Sequence, residues 1–231
     1  MIVAAAICPC PPLLAAELAG QAEVLPELRA ACSVAVATAI AAAPDLVVVA
    51  GADDQTGTWP PDGRLNVAAF APALGQGRGE DASRPALPLP LGMGALLLDE
   101  AGYRGPRAFQ GIAVSATSEA CLRLGAQLAE SAPRVALLAM GDGSGRRSVS
   151  APGYLDERAG PFDAAVERAV RDGDLAALAA IDPGLAAELL AAGRPAWQAL
   201  AGAIGAGRTK TEVLYCDAPF GVGYLAATLT P

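Results

Sequence analysis

The sequence contains no histidine and a single lysine, Lys210, among 231 residues. Without an imidazole, a Ser-His-Asp or Cys-His relay, a carbonic-anhydrase-type zinc site and a 2-His-1-carboxylate iron site are all excluded. Positive charge is scarce: Lys plus Arg number 16 against 24 Asp plus Glu, a formal net charge of -8. Affinity for a phosphate backbone comes from clustered Lys and Arg, so nucleic acid is not an expected partner. Aromatic residues make up 4% of the chain, which leaves no evident cluster of the residues that anchor protein interfaces. The longest weakly polar stretch, Ala30 to Ala43, is too short to span a bilayer. The opening MIVAAAICPCPP has no basic residue ahead of its apolar run, and reads as a buried strand rather than a secretory signal. A cytoplasmic protein with no membrane partner is the expectation. Cys8, Cys10, Cys32, Cys121 and Cys216 are odd in number and lack zinc-ribbon or CxxC spacing, so reduced thiols rather than a disulfide framework are expected.

What is present suits one globular domain over residues 1–231, a length that can bury a single sizeable core. Short apolar runs alternate with helical periodicity, the pattern of a layered α/β domain. Strands are predicted at Ile2 to Ile7, Leu46 to Ala50, Gly111 to Ser115, Arg134 to Met140, Glu212 to Cys216 and Val222 to Leu229. Helices are predicted over Leu25 to Ala43, Ala116 to Ser131, Pro161 to Arg171, Asp174 to Ile181, Asp182 to Gly193, and Pro195 to Ile204. Cys32 and Cys121 fall on apolar helix faces and read as small core residues. The last two strands are separated by DAPFG and predict an antiparallel hairpin, so the fold expected is a three-layer α/β/α domain with a central mixed sheet. Residues 72–90 have no period and many breakers, and read as a long lid, binding loop or flexible segment.

Two segments concentrate unusual residues at predicted strand ends. GDGSG, Gly141 to Gly145, fits neither a dinucleotide fingerprint nor a P-loop, and Asp142 breaks the GxSxG elbow around Ser144. It is either a plain strand-ending turn or a loop lining a ligand crevice, since open α/β sheets place sites at carboxyl strand ends. In CPCPPLL, Cys8 to Leu14, the prolines keep the chain extended, so Cys8 and Cys10 point the same way. Two such thiols with Asp53 or Asp54 could hold a soft ion, or they are inert core thiols with the aspartates serving as turn formers.

CPCPPLL, LVVVAGADDQTG, MGDGSGRRSVSAPGYLDERAGPFDAAV and DAPFGVGYLAA, in this order, resemble segments of the class III extradiol ring-cleavage dioxygenases. The similarity runs over most of the chain and points to an uncharacterised actinobacterial branch of a superfamily that includes Memo-like proteins; residues 72–90 do not match. The resemblance implies a mixed sheet between helical layers and, in active members, Fe(II) at the strand ends. It also implies an iron-ligating histidine where this sequence has Cys10, in a pattern reading Cys-Pro-His-Pro-Pro, and a second near Asp53 and Asp54. The family's acid/base histidine corresponds to Gly145, and its carboxylate ligand falls near Ala191, with Glu188 the nearest acid.

Each position that carries the iron chemistry is thus replaced. Ring cleavage needs a base for the catechol, and Gly145 cannot be one. The expectation is a catalytically degenerate, metal-free scaffold binding a small molecule or a protein partner. Its pocket would be lined by Cys10, Asp53, Asp54, Asp142, Ser144 and the loop from Tyr215 to Gly221. One alternative is a remodelled metal enzyme in which Cys8, Cys10, Asp53 and Asp54 hold iron, zinc or copper. Another is a lone Cys10 thiolate acting as nucleophile, activated by an arginine or a helix N-terminus. A homodimer is expected by analogy with the superfamily.

Overall fold

In the computed structural model, residues 1–19, 24–71, 84–207 and 209–231 are described. Four strands lie parallel in the centre of a seven-stranded sheet: β1 (Ile2–Cys8), β2 (Leu46–Asp53), β6 (Arg107–Ala113) and β7 (Val135–Met140). The order across the sheet is β3-β6-β2-β7-β1-β9-β8, with β3 (Gly57–Trp59) antiparallel at one edge. At the other, β8 (Lys210–Asp217) and β9 (Tyr224–Thr230) form the antiparallel hairpin predicted from DAPFG. Two short strands, β4 (Arg64–Leu65) and β5 (Ala86–Leu87), pair separately.

Strand side chains alternate between faces, and the alternation divides the core in two. On one face Ile7, Val48, Ala50, Leu137 and Ala139 pack beneath α4 (Ser118–Ala129), α5 (Ala159–Arg171), α6 (Leu175–Ala179), α7 (Pro183–Glu188) and α8 (Arg194–Ile204). On the other Ala6, Cys8, Val49, Leu138 and Met140 pack beneath α2 (Pro26–Ala41) and α3 (Leu89–Glu100), which follow the short α1 (Ala16–Ala19). The result is the expected three-layer α/β/α fold with a mixed central sheet.

The second half of the predicted loop, residues 84–90, instead holds β5 and the start of α3; residues 72–83 lie outside the described part. Helix α3 carries no visible period because it is buried on nearly all sides. Gly92 and Gly94 let it press against Leu65 and Val49, and a methyl group on Gly51 would lie 2.5 Å from the Pro90 Cβ. Helix α7 ends at Glu188 rather than running to Gly193, because Leu190 turns into the left-handed region (φ 58°) and the Ala191 N–H closes back onto the Ala186 carbonyl.

Helices α4 and α8 cross at small residues. A methyl group on Gly125 would overlap the Ala199 carbonyl oxygen, and one on Gly202 would overlap that of Leu122. Backbone cannot yield as a flexible side chain can, so the added carbon must push the helices apart. Gly125→Ala is expected to lower stability by about 1–3 kcal/mol in urea unfolding, despite its better helix propensity; a midpoint equal to or above wild type would contradict this close crossing.

Candidate functional site

The carboxyl ends of β1, β2, β6 and β7 share one edge of the sheet, where folds of this type place ligands. The residues expected to line a common pocket there are held apart. Since β7 lies between β1 and β2, the segments ending in Cys8 and Asp53 run about 9–10 Å apart. Cys8 and Cys10 turn beneath α2 and α3 beside Cys32, and Cys10 is 2% exposed. Asp53 accepts from the Asp54 N–H at 2.7 Å and from Trp59 Nε1 at 2.8 Å, which ties β3 back against the sheet. Asp54 is exposed. Among the described residues no group of three or more Cys, Asp or Glu side chains gathers to hold an ion. The alternative ligand set of Cys8, Cys10, Asp53 and Asp54 is therefore not assembled, and the positions where the resemblance implies iron ligands do not converge to hold that metal.

The lone-thiolate alternative fails on electrostatics. Burial pushes the Cys10 thiol well up, and the charge of Asp142 and the neighbouring Cys32 push the same way. Cys8 is raised by its hydrogen bond with Cys32 and by burial. An activated nucleophile requires the opposite shift.

GDGSG forms a structural turn with bonds on both flanks. Ser144 is fully buried; its N–H and Oγ donate to Asp163 at 2.8 and 2.7 Å, and Arg147 Nη1 donates to the same carboxylate at 3.0 Å. Gly143 N–H donates to the Gly223 carbonyl, and Gly223 N–H returns to that of Ser144. A Cβ at either glycine would crowd Asp163. From the other side, Gly193 N–H donates to the Asp142 carbonyl, and Gly145 N–H to that of Leu189. A Cβ at Gly145 would meet the Leu190 Cβ at 3.2 Å, so an imidazole there would displace the chain that now covers it.

Asp142 points toward β1, where its Oδ1 accepts from the Cys10 N–H at 2.6 Å. Burial pushes this carboxyl up to about 6, offset in part by that hydrogen bond. Tyr224 lies close enough to be raised by burial and by Asp142. Tyr215 belongs to β8 rather than to a loop; it is half-buried and shifted upward by burial and by Asp217 and Glu27.

A cavity of about 530 Å³ opens instead beside the end of β6, within the size range of small-molecule sites. Its wall is Val114 and Ser115, Pro183, Ala186 and Ala187 of α7, Leu190 to Ala192, and Arg194 with Pro195 of α8. Ala191, near which the resemblance implies a carboxylate ligand, is an apolar wall residue. Glu188, the nearest acid, turns away to pair with Arg158 at 2.7 Å on the surface. Asp53 and Asp54 line a different, open cavity with Trp59 and Leu87.

Arg194 and Gln198 join the cavity to the rest of the fold. Arg194 is 3% exposed; its Nη1 donates to the Ala116 carbonyl at 2.6 Å and to Gln198 Oε1 at 3.1 Å, and its Nη2 to the Val114 carbonyl. Gln198 Nε2 in turn reaches Ser118 Oγ and the carbonyls of Ala179 and Ile181. Neither residue belongs to a recognisable motif. Their signals in the sequence are of another kind: an arginine in the first turn opposes the helix dipole, and Arg194 and Gln198 lie four apart on an otherwise apolar helix. Asp163, inside the third resembling segment but given no role there, falls in phase with Phe162, Val166 and Val170 on the buried face of α5.

The fold is shared. The crystal structure of the uncharacterized protein JW3007 from Escherichia coli K12 matches with a TM-score of 0.61 at 16% identity, over 99% of this chain and 100% of that one. No family model and no curated protein matches the chain. At this identity the match establishes the fold. Among the described residues no helix is long and apolar enough to cross a membrane.

The buried Asp142 carboxyl makes stability depend on pH. Because the folded state raises its pKa above the unfolded value, the native state binds the extra proton between about 4 and 6, and stability falls as pH rises through that window. Asp142→Asn, which mimics the protonated form, should match wild type near pH 4 and exceed it in melting temperature above pH 6.5; a gap unchanged with pH would contradict the buried charge. Cys8, Cys10, Cys32 and Cys121 are buried and Cys216 is exposed. A thiol titration of native protein should therefore count one equivalent, slowly because burial and Glu167 push Cys216 up to about 11, and five equivalents in denaturant.

Proposed function

We propose that this chain is a catalytically degenerate relative of the class III extradiol dioxygenases that binds a small molecule in the cavity beside β6. The observation that carries the reading is the cavity's position: a preformed, mostly apolar space at the carboxyl edge of a parallel sheet, with wall residues drawn from three separate segments. The replaced positions support loss of the ancestral chemistry. Cys10 is a buried neutral thiol, Gly145 is packed under Leu190, and Glu188 is committed to Arg158. The family assignment itself rests on the four sequence segments, and the shared three-layer fold is compatible with it. A location in the cytoplasm, a homodimeric assembly and a lack of nucleic-acid partners complete the reading, the last supported by the net charge of -8.

Ala187 lines the cavity and is exposed, so its replacement by tryptophan can fill the opening with little effect on folding. A thermal-shift panel of small aromatic and aliphatic metabolites should include compounds that raise the melting temperature by about 5–10 °C at a hundred times Kd, given about 2.7 kcal/mol of linkage. Ala187→Trp should unfold at the wild-type temperature without ligand and lose those shifts. Binding that survives this variant unchanged would place the ligand elsewhere.

A further inference from the structure

The cavity wall carries one charge. Of its ten residues, eight are apolar, Ser115 is a neutral hydroxyl at the mouth, and Arg194 is the sole ionised group. A buried guanidinium is costly unless it is paired or fully hydrogen-bonded. Arg194 has no carboxylate partner among the described residues: its recorded contacts are the Val114 and Ala116 carbonyls, Gln198 Oε1 and, at 3.7 Å, Cys121 Sγ. A guanidinium has five N–H donors. Three go to these oxygens, which leaves two without an oxygen acceptor among the described residues.

The position of the cation adds to this. Arg194 is itself a wall residue, and the Val114 carbonyl that receives its Nη2 belongs to another. Arg194 also opens α8, an eleven-residue helix. Its charge favours an anion, and no acid lines the space to oppose it. Ser115, whose hydroxyl makes no hydrogen bond among the described residues, supplies a neutral donor at the mouth.

Taking the cavity reading above as given, we infer that its ligand is a small apolar carboxylate, an aromatic or short-chain aliphatic acid whose carboxyl group pairs with Arg194 while its hydrocarbon part lies against Ala186, Leu190 and Ala191. Pairing with a carboxylate would supply the counter-charge that the fold withholds, and a planar carboxylate suits the guanidinium fork. Phosphorylated or dianionic ligands fit less well, since one guanidinium and one hydroxyl are the polar groups of the wall.

The test uses matched probes on the intact protein: benzoate against benzamide, and hexanoate against hexanamide, by calorimetry at pH 7. The acids should bind at least tenfold more tightly than their amides, and Ala187→Trp should abolish both. Equal binding of acid and amide, lost in Ala187→Trp, would overturn the carboxylate inference and leave the cavity reading standing. No binding of any probe, together with no hit from the wider panel, would overturn both. Arg194→Gln should erase the preference for the acids while retaining amide binding; because Arg194 also ties α8 to the end of β6, a variant that does not fold returns the decision to the wild-type pairs.

Discussion

The strand-end architecture depends on one buried carboxylate. Asp163 sits on the apolar face of α5 and gathers the Ser144 amide, the Ser144 hydroxyl and the Arg147 guanidinium. Through these it fixes the turn after β7, and through the Gly143 and Gly223 crossing it fixes the start of β9. Charge-assisted bonds of this kind are about twice as strong as neutral ones, and loss of the acceptor would leave a buried hydroxyl and amide unsatisfied. Its consequence is mainly geometric. With the turn held, the Asp142 side chain meets the Cys10 amide on one face, while its carbonyl meets the Gly193 amide on the other. The ends of β1 and β7 are thereby covered by protein, and the open space lies one strand pair away, beside β6.

This arrangement decides which of the sequence's suggestive residues can act together. Cys8, Cys10, Asp53, Asp142 and Ser144 each lie at or just after a carboxyl strand end but do not share one space. Strand alternation then sends the two cysteines beneath α2 and α3, and Asp163 draws Ser144 to the opposite face. Period-two side-chain direction is available in the sequence, but which helix covers which face is not. That depends on crossover connections, which periodicity alone does not reveal.

The parallel strands and the closing hairpin are legible because each is a short apolar run bounded by breakers. The strand predicted at Gly111 to Ser115 begins too late; the ladder with β2 starts at Arg107, whose charge reads as loop but whose guanidinium lies over the Phe109 ring and pairs with Asp99. Helix α3 is illegible for the reverse reason. LPLGMGALLLDE is buried on nearly all sides, so it has no polar stripe, and its Pro and Gly are helix breakers by propensity. In place, Pro90 occupies the first turn, where its missing N–H costs nothing, and the glycines permit close approach to the sheet. Tertiary packing overrides propensity where every side of an element is covered.

The absence of histidine takes on a structural meaning beside these contacts. A metal centre of imidazoles would require several side chains to converge across β1, β2 and β7 into a space that admits substrate. Cys10, Gly145 and Ala191, where the resemblance implies an iron-ligating histidine, an acid/base histidine and a carboxylate ligand, are each small enough for neighbouring chain to close over them: Cys10 under the helical layer, Gly145 under Leu190, Ala191 flush with an apolar wall. The space beside β6 is lined mainly by alanine, leucine, valine and proline. What such a wall lacks is a way to orient a ligand. An apolar surface discriminates weakly between molecules of similar size, whereas a single desolvated charge rejects ligands that cannot pair with it. Arg194, held by carbonyls with no acid partner among the described residues, is the charge on the wall from which such discrimination would come.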